Sequence, residues 1–367
     1  MILMNDFKAE PPELRNAMLK AVSGVLESGW YVLGHEVESF EKRWANVCGV
    51  THCVGVGNGM DAIEITLRAL RIGAGDEVIT TPMTAFATVL AIIRAGATPV
   101  LADIEEDTAL LSLESAERCL SPRTKAIVLV HLYGQVRGMD RWVALCEQNR
   151  LALVEDCAQS HLATWKGKTA GSFGVAGAYS FYPTKNLGAC GDGGAIVTND
   201  ADIAKHARRL RNYGQSVRYH HPDLGLNSRL DEIHAAILSA RLEWLEEFTR
   251  CRQRIAARYS EEIDNPAIRL LRQPEEESAH VHHLYVLCCQ SRDDLQAHLN
   301  QHLVQTLIHY PIPVHHQERM THILRAPTGL PASEKHAQTC LSIPCHPQLS
   351  DADVECVIAA VNSFQRT

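Results

Sequence analysis

The chain has 367 residues, 46% of them hydrophobic and 21% charged. A single core rarely grows much beyond about 250–300 residues, so the length predicts two domains of unequal size. Lys plus Arg is 35 against 43 Asp plus Glu, a net charge of -8, which argues against a nucleic-acid binder and leaves a small anionic ligand open.

Residues 13–27 read as an amphipathic helix, with Pro11 and Pro12 before it and Gly29 after it. A second helix is expected over 36–47. From there short β-rich runs alternate with helical ones: strand 53–56, helix 61–70, strand 77–80, helix 88–94. Apolar runs short enough for buried strands follow at 99–102, 126–130 and 152–154, with a helix over 142–148. Two more strands are expected at 179–181 and 195–197. Such alternation predicts a mostly parallel sheet with helices on both faces. A long charged helix over 231–260 should lead away from the sheet. A strand at 284–288 and a Pro-rich loop at 310–313 fall in the remainder. The expected division is a large domain over 1–240 and a smaller α+β domain over 241–367. The basic run 205–211 reads as a solvated helix face.

No apolar stretch approaches the roughly 18 residues of a membrane helix, so no membrane contact is expected. The first twelve residues do not have the basic-then-apolar pattern of a signal peptide. Twelve cysteines are scattered, without Cys-x-x-Cys spacing, and read as reduced, mostly buried residues of a cytoplasmic protein. Nineteen histidines include adjacent pairs such as His315–His316. None forms a His-x-x-x-His helical pair with a nearby carboxylate, and no metal is expected.

In open parallel sheets ligands bind beyond the carboxyl ends of the strands. After the strand ending at Val56 comes Gly57-Asn58-Gly59-Met60-Asp61, then a helix. A glycine turn entering a helix presents free N–H groups that suit a phosphate, although a plain strand–helix turn reads the same way. After Val154 comes Glu155-Asp156. An acid there either caps the next turn or pairs with a cationic ligand group. The third segment carries Lys185 among hydroxyl residues and glycines, Ser180 to Gly194. Lys185 is either a surface lysine or one desolvated enough to become a nucleophile for carbonyls. Together, a phosphate cradle, an acid and a lysine are the three groups that pyridoxal 5'-phosphate (PLP) needs.

The chain resembles the DegT/DnrJ/EryC1/StrS family of PLP-dependent aminotransferases, which act mainly on nucleotide-linked keto-sugars. The resemblance lies in six ordered motifs: GDEVITTPMTAFAT (75–88), EDCAQSH (155–161), SFYPTKNLGACGDGG (180–194), RNYGQ (211–215), GLNSRLDEIHAAIL (225–238) and IHYPIPVHHQ (308–317). It implies a type I aminotransferase fold and a homodimer with shared active sites. It makes Lys185 the Schiff-base lysine and Asp156 the partner of the pyridine nitrogen. Gln159 falls near the ring's phenolic oxygen. Ser180 and the backbone around Gly59 and Met60 would hold the phosphate, with Asn227 reaching it from the neighbouring subunit. Met60 replaces the family's usual threonine. Ala85 stands where the ring-stacking aromatic usually comes, and Phe86 follows it. Arg229, His309, Tyr310 and His315 are the substrate-contact candidates. The resemblance implies an amino-acid donor, glutamate, and a nucleotide-sugar acceptor. Ser228 stands where the 4-amino branch tends to have tyrosine, which favours a 3-keto sugar. A 4-keto sugar, an aminocyclitol ketone, a sugar dehydratase and a PLP-binding regulator are the alternatives. Lys185 speaks against the dehydratase, because family dehydratases have histidine there.

Overall fold

The computed structural model describes residues 1–320 and 322–365. Helix α1 (Pro12–Ser28) has proline in its first turn and ends at Gly29, whose φ of 65° supplies the left-handed cap. Helix α2 (His35–Cys48) ends the same way at Gly49. The alternating region then runs β1 (His52–Val56), α3 (Gly59–Ala69), β2 (Glu77–Thr80), α4 (Phe86–Arg94), β3 (Thr98–Leu101), α5 (Leu113–Arg118), β4 (Thr124–Val130), α6 (Met139–Asn149) and β5 (Ala152–Asp156). A small hairpin, β6 (Thr164–Trp165) with β7 (Lys168–Thr169), precedes β8 (Ala176–Ser180), β9 (Gly194–Thr198) and α7 (Ala201–Leu210). Helices α8 (Glu232–Leu242) and α9 (Leu245–Glu262) follow. The chain closes with β10 (Ile268–Leu270), β11 (Tyr285–Cys289), α10 (Arg292–Gln301), β12 (Leu324–Arg325), α11 (Pro331–Thr339), β13 (Cys340–Ile343) and α12 (Asp351–Asn362).

Eight strands form one sheet in the order β1-β9-β8-β5-β4-β2-β3-β12. All pairs are parallel except those that β9 makes with β1 and β8. The period of two explains the layers. Ile127 and Leu129 of β4 join Phe40 and Trp44 of α2 on one face. Ala126 and Val128 join Ile63 and Ile65 of α3 and Ile92 of α4 on the other. Burying both faces is what makes these strands read as continuous apolar runs.

A second sheet, β10-β11-β13, is antiparallel. Its core takes Tyr259 from α9, Leu299 from α10 and Val357 from α12. The expected division at residue 240 falls inside α8, close to its end. Two segments cross between the halves: Ile2 donates its N–H to Leu303 at 2.7 Å, and β12 extends the large sheet through β3.

Two expectations need correction. The helix expected over 231–260 is two helices, because Trp244 N–H turns back to the Arg241 carbonyl at 3.0 Å and the ladder restarts at Leu245. The run 205–211 is not uniformly solvated. Arg211 is buried, with Nη1 on the Glu41 carboxylate and, at 2.7 Å, on the Gly55 carbonyl. Among the described residues no cysteine forms a disulfide, and Cys190 and Cys356 are exposed. Among the described residues no helix is long and apolar enough to cross a membrane.

Candidate active site

Strand register assembles the first part of the site. Gly194 of β9 pairs with Val56 on one side and Ser180 on the other. The turn leaving β1 therefore meets the end of β8. Asn58 caps α3, its Oδ1 accepting from Asp61 N–H at 2.8 Å. A Cβ on Gly59 would stand 2.7 Å from Ser180 Cβ, and one on Gly194 would stand 2.4 Å from the Asn58 carbonyl carbon. Only glycine permits this closeness. The result is a helix N-terminus with Gly59 and Met60 half-buried beside the Ser180 hydroxyl, suited to a dianionic phosphate. Gly57 N–H is held separately by Ser228 Oγ at 3.0 Å.

Strand β5 ends in two adjacent acids with opposite roles. Glu155 is fully buried and saturated by structure. It accepts from His131 Nε2 at 2.9 Å and from the N–H groups of Gly171, Phe173 and Gly174. Asp156 has fewer partners. Its Oδ1 takes Ala158 N–H at 3.1 Å and its Oδ2 takes Thr88 Oγ1–H at 2.8 Å. Thr84 Oγ1 lies 2.8 Å from Thr88 Oγ1. Since the Thr88 proton goes to Asp156, Thr84 must donate to Thr88. The sequence reading saw neither threonine as part of the site.

Lys185 follows β8 by one turn, its N–H on the Tyr182 carbonyl at 2.8 Å. Its side chain is half-buried. Burial pushes the ammonium down from the ordinary lysine value to about 8, against an opposing pull from the Asp156 carboxylate. The same positive charge reaches three imidazoles. Burial first, and Lys185 second, push His161 down to about 3 and His309 to about 4, and push His283 well below its ordinary value. These histidines are neutral neighbours of the lysine at physiological pH. His283 is oriented by Asn186 Oδ1 at 3.1 Å, one residue after Lys185.

Gln159 lies close to Asp156 and is held at both ends. Its Oε1 accepts Tyr133 N–H at 2.5 Å, and its Nε2 donates to Tyr310 OH at 3.4 Å. Tyr133 has the left-handed φ of 62°, and its hydroxyl donates to the His309 carbonyl. Burial, then the Asp156 charge, push the Tyr310 phenol up to about 12. Asp156, Gln159, Tyr310, His309 and Lys185 thus form one connected region.

The remaining candidates are less closely joined to it. Phe86 opens α4 and is 38% exposed, two residues before Thr88. Asn227 is exposed, and its side chain makes no hydrogen bond among the described residues. Arg229 Nη1 donates to Asn212 Oδ1 at 3.3 Å and its guanidinium lies over the Tyr213 ring. His315 is bonded at 3.0 Å to Glu334 rather than to any of the groups above.

A mostly parallel sheet with this cradle, acid and lysine at its strand ends defines a PLP-dependent aminotransferase of the type I fold. The comparisons agree. The DegT/DnrJ/EryC1/StrS aminotransferase family model matches residues 12–362, and the chain belongs to that family. It is 44% identical over 364 residues to the dTDP-3-amino-3,6-dideoxy-alpha-D-galactopyranose transaminase of Aneurinibacillus thermoaerophilus, covering 99% of each chain. It is 37% identical over 368 residues to the UDP-2-acetamido-2-deoxy-3-oxo-D-glucuronate aminotransferase of Pseudomonas aeruginosa, covering 99% of this chain and 100% of that one. Its fold matches the crystal structure of Streptomyces venezuelae DesV in complex with a ketimine intermediate, with a TM-score of 0.95 and 41% identity over 98% of this chain and 97% of that one. The donor set fits the cofactor: the cradle is too tight for a side chain at Gly59, and Lys185 and Asp156 lie within electrostatic reach of each other.

Proposed function

We propose that the protein moves an amino group from an amino acid, glutamate, to a nucleotide-linked keto-sugar, at the sugar 3-position. It does so as a homodimer with shared active sites. The observation that carries the reading is Lys185, half-buried, lowered to about 8 and electrostatically coupled to Asp156. PLP, when bound, supplies an aldehyde that exchanges with amines and a ring that takes up electrons. Lys185 Nζ is the base in this arrangement. A value near 8 lets it both release and accept a proton close to neutral pH. Asp156, fixed by Thr88 and Ala158, would pair with the ring nitrogen and favour its protonated form. The α3 N-terminus and Ser180 hold the phosphate, and Gln159 holds the phenolic oxygen. Tyr310, His309 and Arg229 would contact the sugar, and Asn227 would complete the partner's phosphate site. The 3-position is supported by the two relatives named above and by Ser228.

The test is a set of dTDP-, UDP- and GDP-linked 3-keto and 4-keto sugars and aminocyclitol ketones, each with glutamate, read by mass spectrometry. Exchange of the ketone for an amine on 3-keto sugars is the expected result. Turnover confined to 4-keto sugars or cyclitol ketones would replace the assigned substrate. Glutamate alone should release one 2-oxoglutarate per site, because transamination proceeds in two independent halves. A requirement for both substrates before any release would contradict the mechanism.

A further inference from the structure

One cluster of ligand-type side chains lies outside the site. His315 and His316 end the short 3-10 turn Val314–His316, and Glu334 lies in the first turns of α11. Both imidazoles point Nε2 at the same oxygen, Glu334 Oε1, at 3.0 and 3.5 Å. One ligand atom from each residue lies within 4.8 Å of the others. Around a zinc-sized ion, metal–ligand bonds of about 2.0–2.2 Å give donor–donor edges of about 3.3–3.6 Å in a tetrahedron. The His316 spacing of 3.5 Å falls within that range, and the His315 spacing of 3.0 Å lies just below it.

The two elements are also fixed in advance. Val314 N–H donates to the Pro82 carbonyl at 3.1 Å. Asp103 caps α11, taking Ala332 N–H at 3.0 Å and Ser333 N–H at 2.9 Å. The His315 side chain is fully buried, while those of His316 and Glu334 are 51% and 40% exposed.

We propose that His315, His316 and Glu334 bind one divalent cation of the zinc class, with the fourth position open to water. The cation would clamp the 314–316 turn to α11. Helical histidine spacing carries no signal for a site whose third ligand comes from a different element. The pair that does have helical four-residue spacing, His298 on α10 and His302 just after it, is committed to the carbonyls of Ala360 and His298, both at 2.9 Å. A second cluster, His131, Glu155 and Cys157, is buried around a carboxylate already saturated by backbone donors.

Chelator-treated holoenzyme, titrated with Zn2+ in a calorimeter, should take up one ion per chain at this site. His316→Ala and Glu334→Gln should each weaken that event at least about tenfold, while His302→Ala leaves it unchanged. Zn2+ should raise the melting temperature of the wild type and not of the first two variants. Both are exposed enough to be replaced without disturbing the core. Absence of binding to the wild type, or equal binding by all three variants, overturns the proposal. Because neither readout depends on turnover, it stands or falls separately from the proposed activity.

Discussion

Thr88 has one proton to give, and where it goes fixes the orientation of Asp156. The hydroxyl donates to Asp156 Oδ2 at 2.8 Å and accepts from Thr84. Replacing Thr88 with valine keeps the shape but leaves a buried carboxylate oxygen and the Thr84 hydroxyl unpaired, which costs about 1–3 kcal/mol for each lost partner. Thr88→Val should therefore lower kcat by at least about tenfold, equivalent to about 1.4 kcal/mol. Thr88→Ser, which restores the donor, should recover most of it. If serine recovers no more than valine, Thr88 serves packing and not the carboxylate. Lys185 gives a second residue-scale test. Its lowered value of about 8 means that the neutral amine grows as pH rises through 8, well below the ordinary lysine range. The rate at which cofactor-free enzyme captures PLP should rise with pH and level off above that point. A rate still climbing at pH 10 would show an unperturbed lysine. Lys185→Ala should bind PLP weakly through its phosphate and turn over nothing measurable in steady-state assays. The sequence displays Lys185 and Asp156 because each follows an apolar strand. Thr88 stayed hidden because it lies inside an ordinary amphipathic helix, and its partner is 68 residues away in the chain.

At the scale of elements, three strands decide where the phosphate can sit. Val56, Gly194 and Ser180 share one row of the sheet, so the first turn of α3 is pressed against β8. A methyl at Gly59 would stand 2.7 Å from Ser180 Cβ, which neither strand register nor helix start can accommodate without moving. Gly59→Ala should lower PLP affinity by at least about tenfold, about 1.4 kcal/mol, with Lys185 still able to react. Equilibrium dialysis of the cofactor measures this directly, and unchanged affinity would remove the α3 N-terminus from the phosphate site. The elements themselves were largely readable, since period-two burial on β4 and the glycine caps of α1 and α2 follow from local chemistry. The direction of β9 was not, because an antiparallel strand buried on both faces has the same apolar run as a parallel one. The α8–α9 break was hidden for a related reason. Residues 243–244 include no glycine or proline, so no local signal marks the interruption; Trp244 precedes the second helix with its ring against Phe248 one turn on. Arg211 misled by composition: in a basic run only the partner, Glu41 from a distant helix, reveals that one member is buried.

At the scale of the whole molecule, two of the stretches that leave apolar side chains exposed lie next to Asn227 or are tied to its neighbours. Trp30 and Tyr31 are 62% and 49% exposed, and Val217, Tyr219 and Leu224 are 66%, 80% and 89% exposed. The first stretch is tied to the start of α8 by Glu232 N–H on the Tyr31 carbonyl at 3.1 Å, and the second is tied to Leu226 through Tyr213 N–H at 2.8 Å. Exposed Asn227 lies in the segment between those two ties. Apolar surface of this kind is what a second copy covers in a symmetric dimer. The sequence carried Asn227 only through resemblance, because no local rule tells which residues will meet a partner. If its amide donates to the partner's cofactor phosphate, Asn227→Asp sets a carboxylate against a dianion in a poorly solvated place, where like charges repel strongly. That variant should lose PLP and activity, and Lys185→Ala should be inactive for a different reason. A mixed dimer then holds one site with both defects and one with neither. Mixing the two inactive proteins under conditions that exchange subunits should restore up to about half the wild-type activity per mixed dimer, as two-fold symmetry requires. Differently tagged chains, purified through both tags, establish that mixed dimers have formed. Should such dimers stay inactive, Asn227 acts within its own chain or away from the phosphate, and the shared site is wrong while the lysine's role stands.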